Sequence, residues 1–106
     1  MDELVIEPRG VHDLMQKGVK FLLLDWREPW EYQTAHIEGA TLIPMQEIPQ
    51  KLNDIPKDRP VVIYCHAGVR SFNAASWLKR QGVNALSMSG GIDQWSKEID
   101  PTVPRY

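Results

Sequence analysis

The 106-residue sequence predicts an α/β domain built on a mainly parallel sheet. Three observations lead there. Short apolar runs alternate along the chain with stretches of helical periodicity, the order expected when strands are joined through helices. Two of the runs, Phe21-Leu22-Leu23-Leu24 and Val61-Val62-Ile63-Tyr64, are continuous, as in strands covered on both faces. The length allows one core and no second, so residues 1–106 are expected to form one domain.

Leu4-Val5-Ile6 reads as a short first strand. Val11, Leu14 and Met15 have helical spacing, and Gly18 closes that helix. The Phe21 run is the second strand and leads to Asp25. Pro29 suits a first helical turn, and Glu28 and Glu31 complement the positive end there. Thr41-Leu42-Ile43 is a third strand, stopped by Pro44. Ile48 and Leu52 can share a face of a short helix, with Pro49 tolerated only in its first turn. After Pro60 the Val61 strand runs into a loop at Cys65. Ser71 is the expected N-cap of the next helix, Phe72 to Arg80 its body, and Ala74, Ala75 and Leu78 its inner face. Lys79 and Arg80 suit its last turn, and Gly82 lies just past it. Ala85-Leu86-Ser87-Met88 is the last strand, Ile92 to Lys97 a short helix carrying Trp95, and residues 100–106 an irregular tail.

Composition excludes several classes. Apolar content of 42% and charged content of 25% are ordinary for a globular domain. A net charge of −2, with 12 basic residues in no long cluster, gives no footprint for nucleic acid. No apolar run approaches the ~20 residues of a membrane span. The amino terminus, Met1-Asp2-Glu3-Leu4, is acidic and lacks the regions of a signal peptide. One cysteine forms no internal disulfide, which fits a reducing, cytoplasmic address. That cysteine and three scattered histidines have no ligand spacing, so no metal is expected. There is no Gly-rich phosphate fingerprint, and the four tryptophans read as core or rim packing.

Cys65 therefore sits at the carboxyl end of a buried strand, in a loop feeding a helix, where open α/β sheets bind ligands. The thiolate is the nucleophilic form, and helix N-termini and nearby cations favour it. Successive loop amides can converge into an anion-binding nest, Gly68 permits a positive φ, and Arg70 brings a permanent charge with a fork of donors. A lone cysteine after an apolar strand can equally be a small buried hydrophobe. The company of His66, Ala67, Gly68, Val69, Arg70 and Ser71 favours a reactive thiolate. Asp25 and Arg27 follow the other buried strand and should lie at the same edge, Asp25 hydrogen-bonded to loop backbone and Arg27 in an ion pair that ties elements together.

The stretch Cys65 to Ser71, CHAGVRS, resembles the active-site loop of the rhodanese family of sulfurtransferases. Asp25-Trp26-Arg27-Glu28-Pro29-Trp30-Glu31-Tyr32, with His36-Ile37-Glu38-Gly39-Ala40 after it, is similar to the family's amino-terminal signature. Ser89-Gly90-Gly91-Ile92-Asp93-Gln94-Trp95 is similar to its closing one. Trp26, Ala35 and Glu38 depart from the pattern without removing a residue that carries chemistry. The resemblance implies five parallel strands with helices on both faces. It implies a Cys65 nucleophile, with His66, Ala67, Gly68, Val69, Arg70 and Ser71 around the substrate and Asp25 and Arg27 supporting the loop. His36 would be structural, and His66 is expected at the pocket rim.

The implied reaction moves sulfane sulfur from an anionic donor such as thiosulfate, or from a persulfide, to cyanide, a thiol or a protein thiolate. It passes through a Cys65 persulfide and needs no cofactor; the pattern sets no oligomeric state. Three rivals stand beside it. A phosphatase or arsenate reductase would use a similar loop, but phosphatases place five residues between Cys and Arg, and here there are four. A relay or binding module would receive persulfide from a partner and barely turn over thiosulfate. A redox-sensing thiol would need a resolving cysteine from elsewhere.

Overall fold

A computed structural model describes residues 4–43 and 47–106; Pro44, the expected stop of the third strand, lies outside them. The chain runs β1 (Val5–Ile6), α1 (Pro8–Gln16), β2 (Leu22–Asp25), α2 (Pro29–Thr34), β3 (Thr41–Leu42), α3 (Ile48–Lys51), a 3-10 turn (Leu52–Asp54), β4 (Val61–Tyr64), α4 (Val69–Arg80), β5 (Ala85–Met88) and α5 (Gly91–Glu98). The strands form one sheet in the order β1-β5-β4-β2-β3. Every pairing is parallel. The expected α/β architecture is the observed one.

Alternation along the strands divides the core in two. Leu24, Val61 and Ile63 face one side and pack with Ala74, Ala75 and Leu78 of α4 and with Ile55. Leu23, Val62 and Tyr64 face the other and pack with Val11 of α1, Ile92 and Trp95 of α5, and Val103. Both faces are covered, so the central strands had to be apolar throughout. β4 carries no exposed position: all four of its residues are buried. The tail beyond α5 is irregular, as expected, yet it is packed down: Val103 is buried and its carbonyl accepts a 2.6 Å hydrogen bond from Ser96.

Register places the chemistry. Asp25 pairs with Tyr64, so β2 and β4 end level and deliver Asp25 and Cys65 to the same edge. Several boundaries differ from the sequence reading: β1 begins one residue later, β2 is shifted one residue on, and α5 is one residue longer at each end. β3 stops at Leu42, one residue before the expected end. The helix after Cys65 starts at Val69, with Gly68 as N-cap at φ 104°, and not with Ser71 as N-cap. Only glycine takes that φ freely, so the chain turns earlier than a cap-forming serine suggests. Ser71 falls in the helix's first turn, and its hydroxyl is spent inward.

Candidate active site

The loop from Cys65 to Arg70 curls around its own sulfur. The amides of Gly68 and Ser71 donate to Sγ at 3.1 and 3.3 Å, and Ser71 Oγ lies 3.4 Å away. The nest inferred from sequence thus exists as two converging amides at the start of α4. Ser71 Oγ also shares a 2.7 Å hydrogen bond with Ser87 Oγ on β5. Cys65 is 1% exposed. An anion on Sγ would have almost no water, and the amides and the hydroxyl would stand in for it. From behind, α5 grips the loop's backbone: Ile92 N–H donates to the Cys65 carbonyl at 2.9 Å and Asp93 N–H to that of His66 at 3.1 Å.

Arg27 forms the expected ion pair, and its partner is Asp25, whose carboxylate meets side chains where loop backbone was expected; both are fully buried, with Arg27 Nε 2.6 Å from Asp25 Oδ1. Neither touches Sγ among the contacts observed. Arg27 donates to the Ala35 carbonyl and, at 2.7 Å, to the Tyr106 hydroxyl. Tyr64 donates to Asp25 at 2.7 Å while accepting the Ile37 amide at 3.1 Å. Burial, then the Asp25 charge, pushes the Tyr64 phenol well above its usual range, so it stays a donor. Tyr64→Phe should cost about 1–3 kcal/mol, because a buried amide and a buried carboxylate oxygen each lose a partner. Chemical denaturation of the two proteins measures this.

From Tyr106 the network crosses to the loop. Its hydroxyl donates to Glu31 Oε2 at 2.7 Å. Glu31 in turn receives both terminal nitrogens of Arg70, at 2.8 and 2.9 Å. Arg27 in the loop after β2, Tyr106 in the tail, Glu31 of α2 and Arg70 of α4 form one connected chain. Burial, then the hydrogen bond to Glu31, raises the Tyr106 phenol to about 12. The Arg70 hydrogen bonds hold the Glu31 carboxyl at about 2 against a reference of 4.5, overcoming its burial, with help from the Glu28 amide and Tyr106. A depressed carboxylate stabilises the fold above its unfolded pKa and loses that contribution as pH falls through the folded one. Stability should therefore decline as the pH drops from about 4.5 to about 2. Glu31→Gln should flatten that part of an acid-unfolding curve followed by circular dichroism.

Elsewhere the placements are structural. His36 Nδ1 lies 3.0 Å from the Tyr32 carbonyl, at the end of α2, and its ring stacks on Tyr32. His12 pairs with Gln16 and meets the edge of Trp95. Trp26 and Trp95 are core, while Trp30 is exposed and meets Tyr106 edge-on. His66 stands beside the loop at half burial, with its ring 4.4 Å from Tyr106 and Nδ1 shielded and unpartnered. Among the described residues, no group of three or more His, Cys, Asp and Glu side chains could hold a metal. None of the described helices is long and apolar enough to cross a membrane. Two residues of the network were not singled out from sequence. Glu31 was legible only as a helix-end charge, and nothing local marks Tyr106.

Fold and site together define an α/β protein with a thiol cradled by amides at the carboxyl edge of a parallel sheet. Residues 7–98 match the family model of the rhodanese-like domain, and the chain belongs to that family. It is 43% identical over 83 residues to a sulfurtransferase of Allochromatium vinosum, covering 77% of this chain and 78% of that one. It is 33% identical over 102 residues to the thiosulfate sulfurtransferase GlpE of Haemophilus influenzae, covering 95% of each. Identity is 39% over 104 residues to the probable adenylyltransferase/sulfurtransferase MoeZ of Mycobacterium tuberculosis, but this chain spans only 26% of that protein's length. A rhodanese-like domain protein from Staphylococcus aureus has the same fold, with a TM-score of 0.83 at 27% identity over 96% of this chain and 97% of that one.

Proposed function

We propose that this protein is a sulfurtransferase that carries sulfane sulfur from thiosulfate or a persulfide to a thiophilic acceptor on Cys65. The observation that carries the reading is Sγ at the focus of two loop amides, 3.1 and 3.3 Å away, at a strand's carboxyl end. The Cys65 thiolate attacks the outer sulfur of the donor. A new S–S bond forms, the donor's own S–S bond breaks, and its electron pair leaves with sulfite or with a thiolate. Cyanide, a thiol or a protein thiolate then takes the outer sulfur and returns Cys65 as thiolate. The sequence is a double displacement with no net oxidation, and sulfur itself is the group carried, so no cofactor is invoked.

Roles follow from position. The Gly68 and Ser71 amides stabilise charge on Cys65 and on its persulfide. His66, Ala67, Val69 and Arg70 complete the rim that a donor meets. Asp25 and Arg27 act at a distance, through Tyr106 and Glu31. A single thiol carrying labile sulfur suits a reducing cytoplasm. The names of the relatives support sulfur transfer, and four residues between Cys65 and Arg70 disfavour the phosphatase reading. The relay reading draws on one observation, the match to a small part of a much longer relative. Intact mass spectrometry tests the proposal: thiosulfate or glutathione persulfide should add one sulfur, about 32 Da, at the thiolate. Cyanide should remove it as thiocyanate. No gain from either donor would overturn the assignment, and hydrolysis of an aryl phosphate would favour its rival.

A further inference from the structure

The anion-reading cation of the loop is already engaged. Arg70 turns both terminal nitrogens to Glu31, in a fork-on-fork pair. The Glu31 side chain is 5% exposed and Arg70's is 36%. The Glu28 amide and the Tyr106 hydroxyl also donate to Glu31. Four donors on one buried carboxylate keep it ionised and fixed, so Arg70 can turn to a ligand only by leaving a buried charge short of partners. Arg27, bonded into the same cluster through Tyr106, is compensated too, by Asp25. Beside the loop, three exposed apolar side chains stand among the uncharged polar residues Asn73, Ser87 and Ser89. Val69 is 71% exposed, Val5 45% and Phe72 42%. With Gly68 they line a shallow depression next to Cys65's loop.

Thiosulfate is a dianion whose anionic sulfonate group is bonded directly to the transferred sulfur. A thiol persulfide carries a carbon chain there, and any charge lies several bonds away. We propose, on the sulfur-transfer reading above, that Glu31 and Tyr106 are specificity-determining residues: by neutralising and holding Arg70 they set this site for thiol persulfides over thiosulfate. In the favoured step the Cys65 thiolate attacks the outer sulfur of R–S–SH. The bond to R–S breaks, R–S⁻ departs with the electron pair, and the proton stays on the new Cys65–S–SH. Electrons and atoms balance without an oxidant or reductant.

The test compares kcat/KM for glutathione persulfide and for thiosulfate with one common acceptor. The full chain should favour the persulfide at least tenfold. Glu31→Gln, which keeps an oxygen for the Glu28 amide but removes the charge, should shift the ratio toward thiosulfate at least fivefold. Tyr106→Phe should shift it the same way by less, and it serves alone if thermal unfolding shows that Glu31→Gln is not folded. A purely structural role for the pair would lower both activities together and leave the ratio unmoved, which would overturn the inference. So would equal or better use of thiosulfate by the unaltered protein. Sulfur loading from neither donor would instead overturn the sulfur-transfer reading and this inference with it.

Discussion

Cys65→Ser should take up no sulfur from thiosulfate or glutathione persulfide, and its formation of thiocyanate should fall to the uncatalysed background. The argument is chemical and local. The proposed intermediate is a bond between two sulfur atoms, and a serine oxygen cannot form it by displacement on sulfane sulfur at useful rates. The substitution is close to isosteric and leaves the loop able to close. Its side-chain oxygen would still accept from the Gly68 and Ser71 amides, which lie 3.1 and 3.3 Å from Sγ in the native loop. Thermal unfolding should therefore change little while activity disappears, and that separation makes the variant informative. Mass spectrometry reads sulfur uptake directly. Catalytic thiocyanate formation by the serine variant would remove Cys65 from the mechanism.

Gly91→Ala should cost about 3 kcal/mol of stability or more and carry the loop out of place. Gly91 opens α5 at φ 62°, in the left-handed region. A Cβ there would stand 2.4 Å from the His66 carbonyl oxygen and 2.5 Å from that of Cys65. Both obstacles are backbone, so neither can rotate aside. Relief requires separating α5 from the loop, which breaks the Ile92-to-Cys65 and Asp93-to-His66 hydrogen bonds. Each is worth about 1 kcal/mol, in addition to the conformational strain of a non-glycine residue. Gly18→Ala provides the control. Its φ is 68°, nearly the same, but nothing lies within 4 Å of the added carbon. It should lose only the strain, about 1–2 kcal/mol. Urea unfolding of both variants separates strain from collision. Equal losses would mean that the grip of α5 on the loop is not what requires glycine at position 91.

Much of this protein was legible without coordinates because the signals are local. A continuous Val61–Tyr64 run states burial on both sides, and the burial is complete. Pro29 between two glutamates states a helix start, and α2 begins there, with Glu28 and Glu31 closing a capping box. The cysteine at a strand end, followed by glycine and arginine, located the candidate site. That Arg27 needs an ion-pair partner also followed, because a charge leaving a buried strand cannot stand alone, but that the partner is Asp25 did not.

What only tertiary structure decided depends on groups far apart in the chain. Cap preference ranks serine highly, but at Gly68 the turn required a positive φ, and Ser71 found better partners in Ser87 and the sulfur. From its neighbours Arg70 is a free cation beside a nucleophile. In the fold, a carboxylate 39 residues earlier occupies its fork. Tyr106 lies in a segment with no periodicity, yet it joins Arg27 to Glu31 because Val103 is buried and draws that segment onto the sheet's edge. Periodicity and caps report how a residue relates to its chain neighbours. Which buried charges meet is settled by the register of β2 against β4 and by the path of the chain back to their common edge, and no local pattern encodes either.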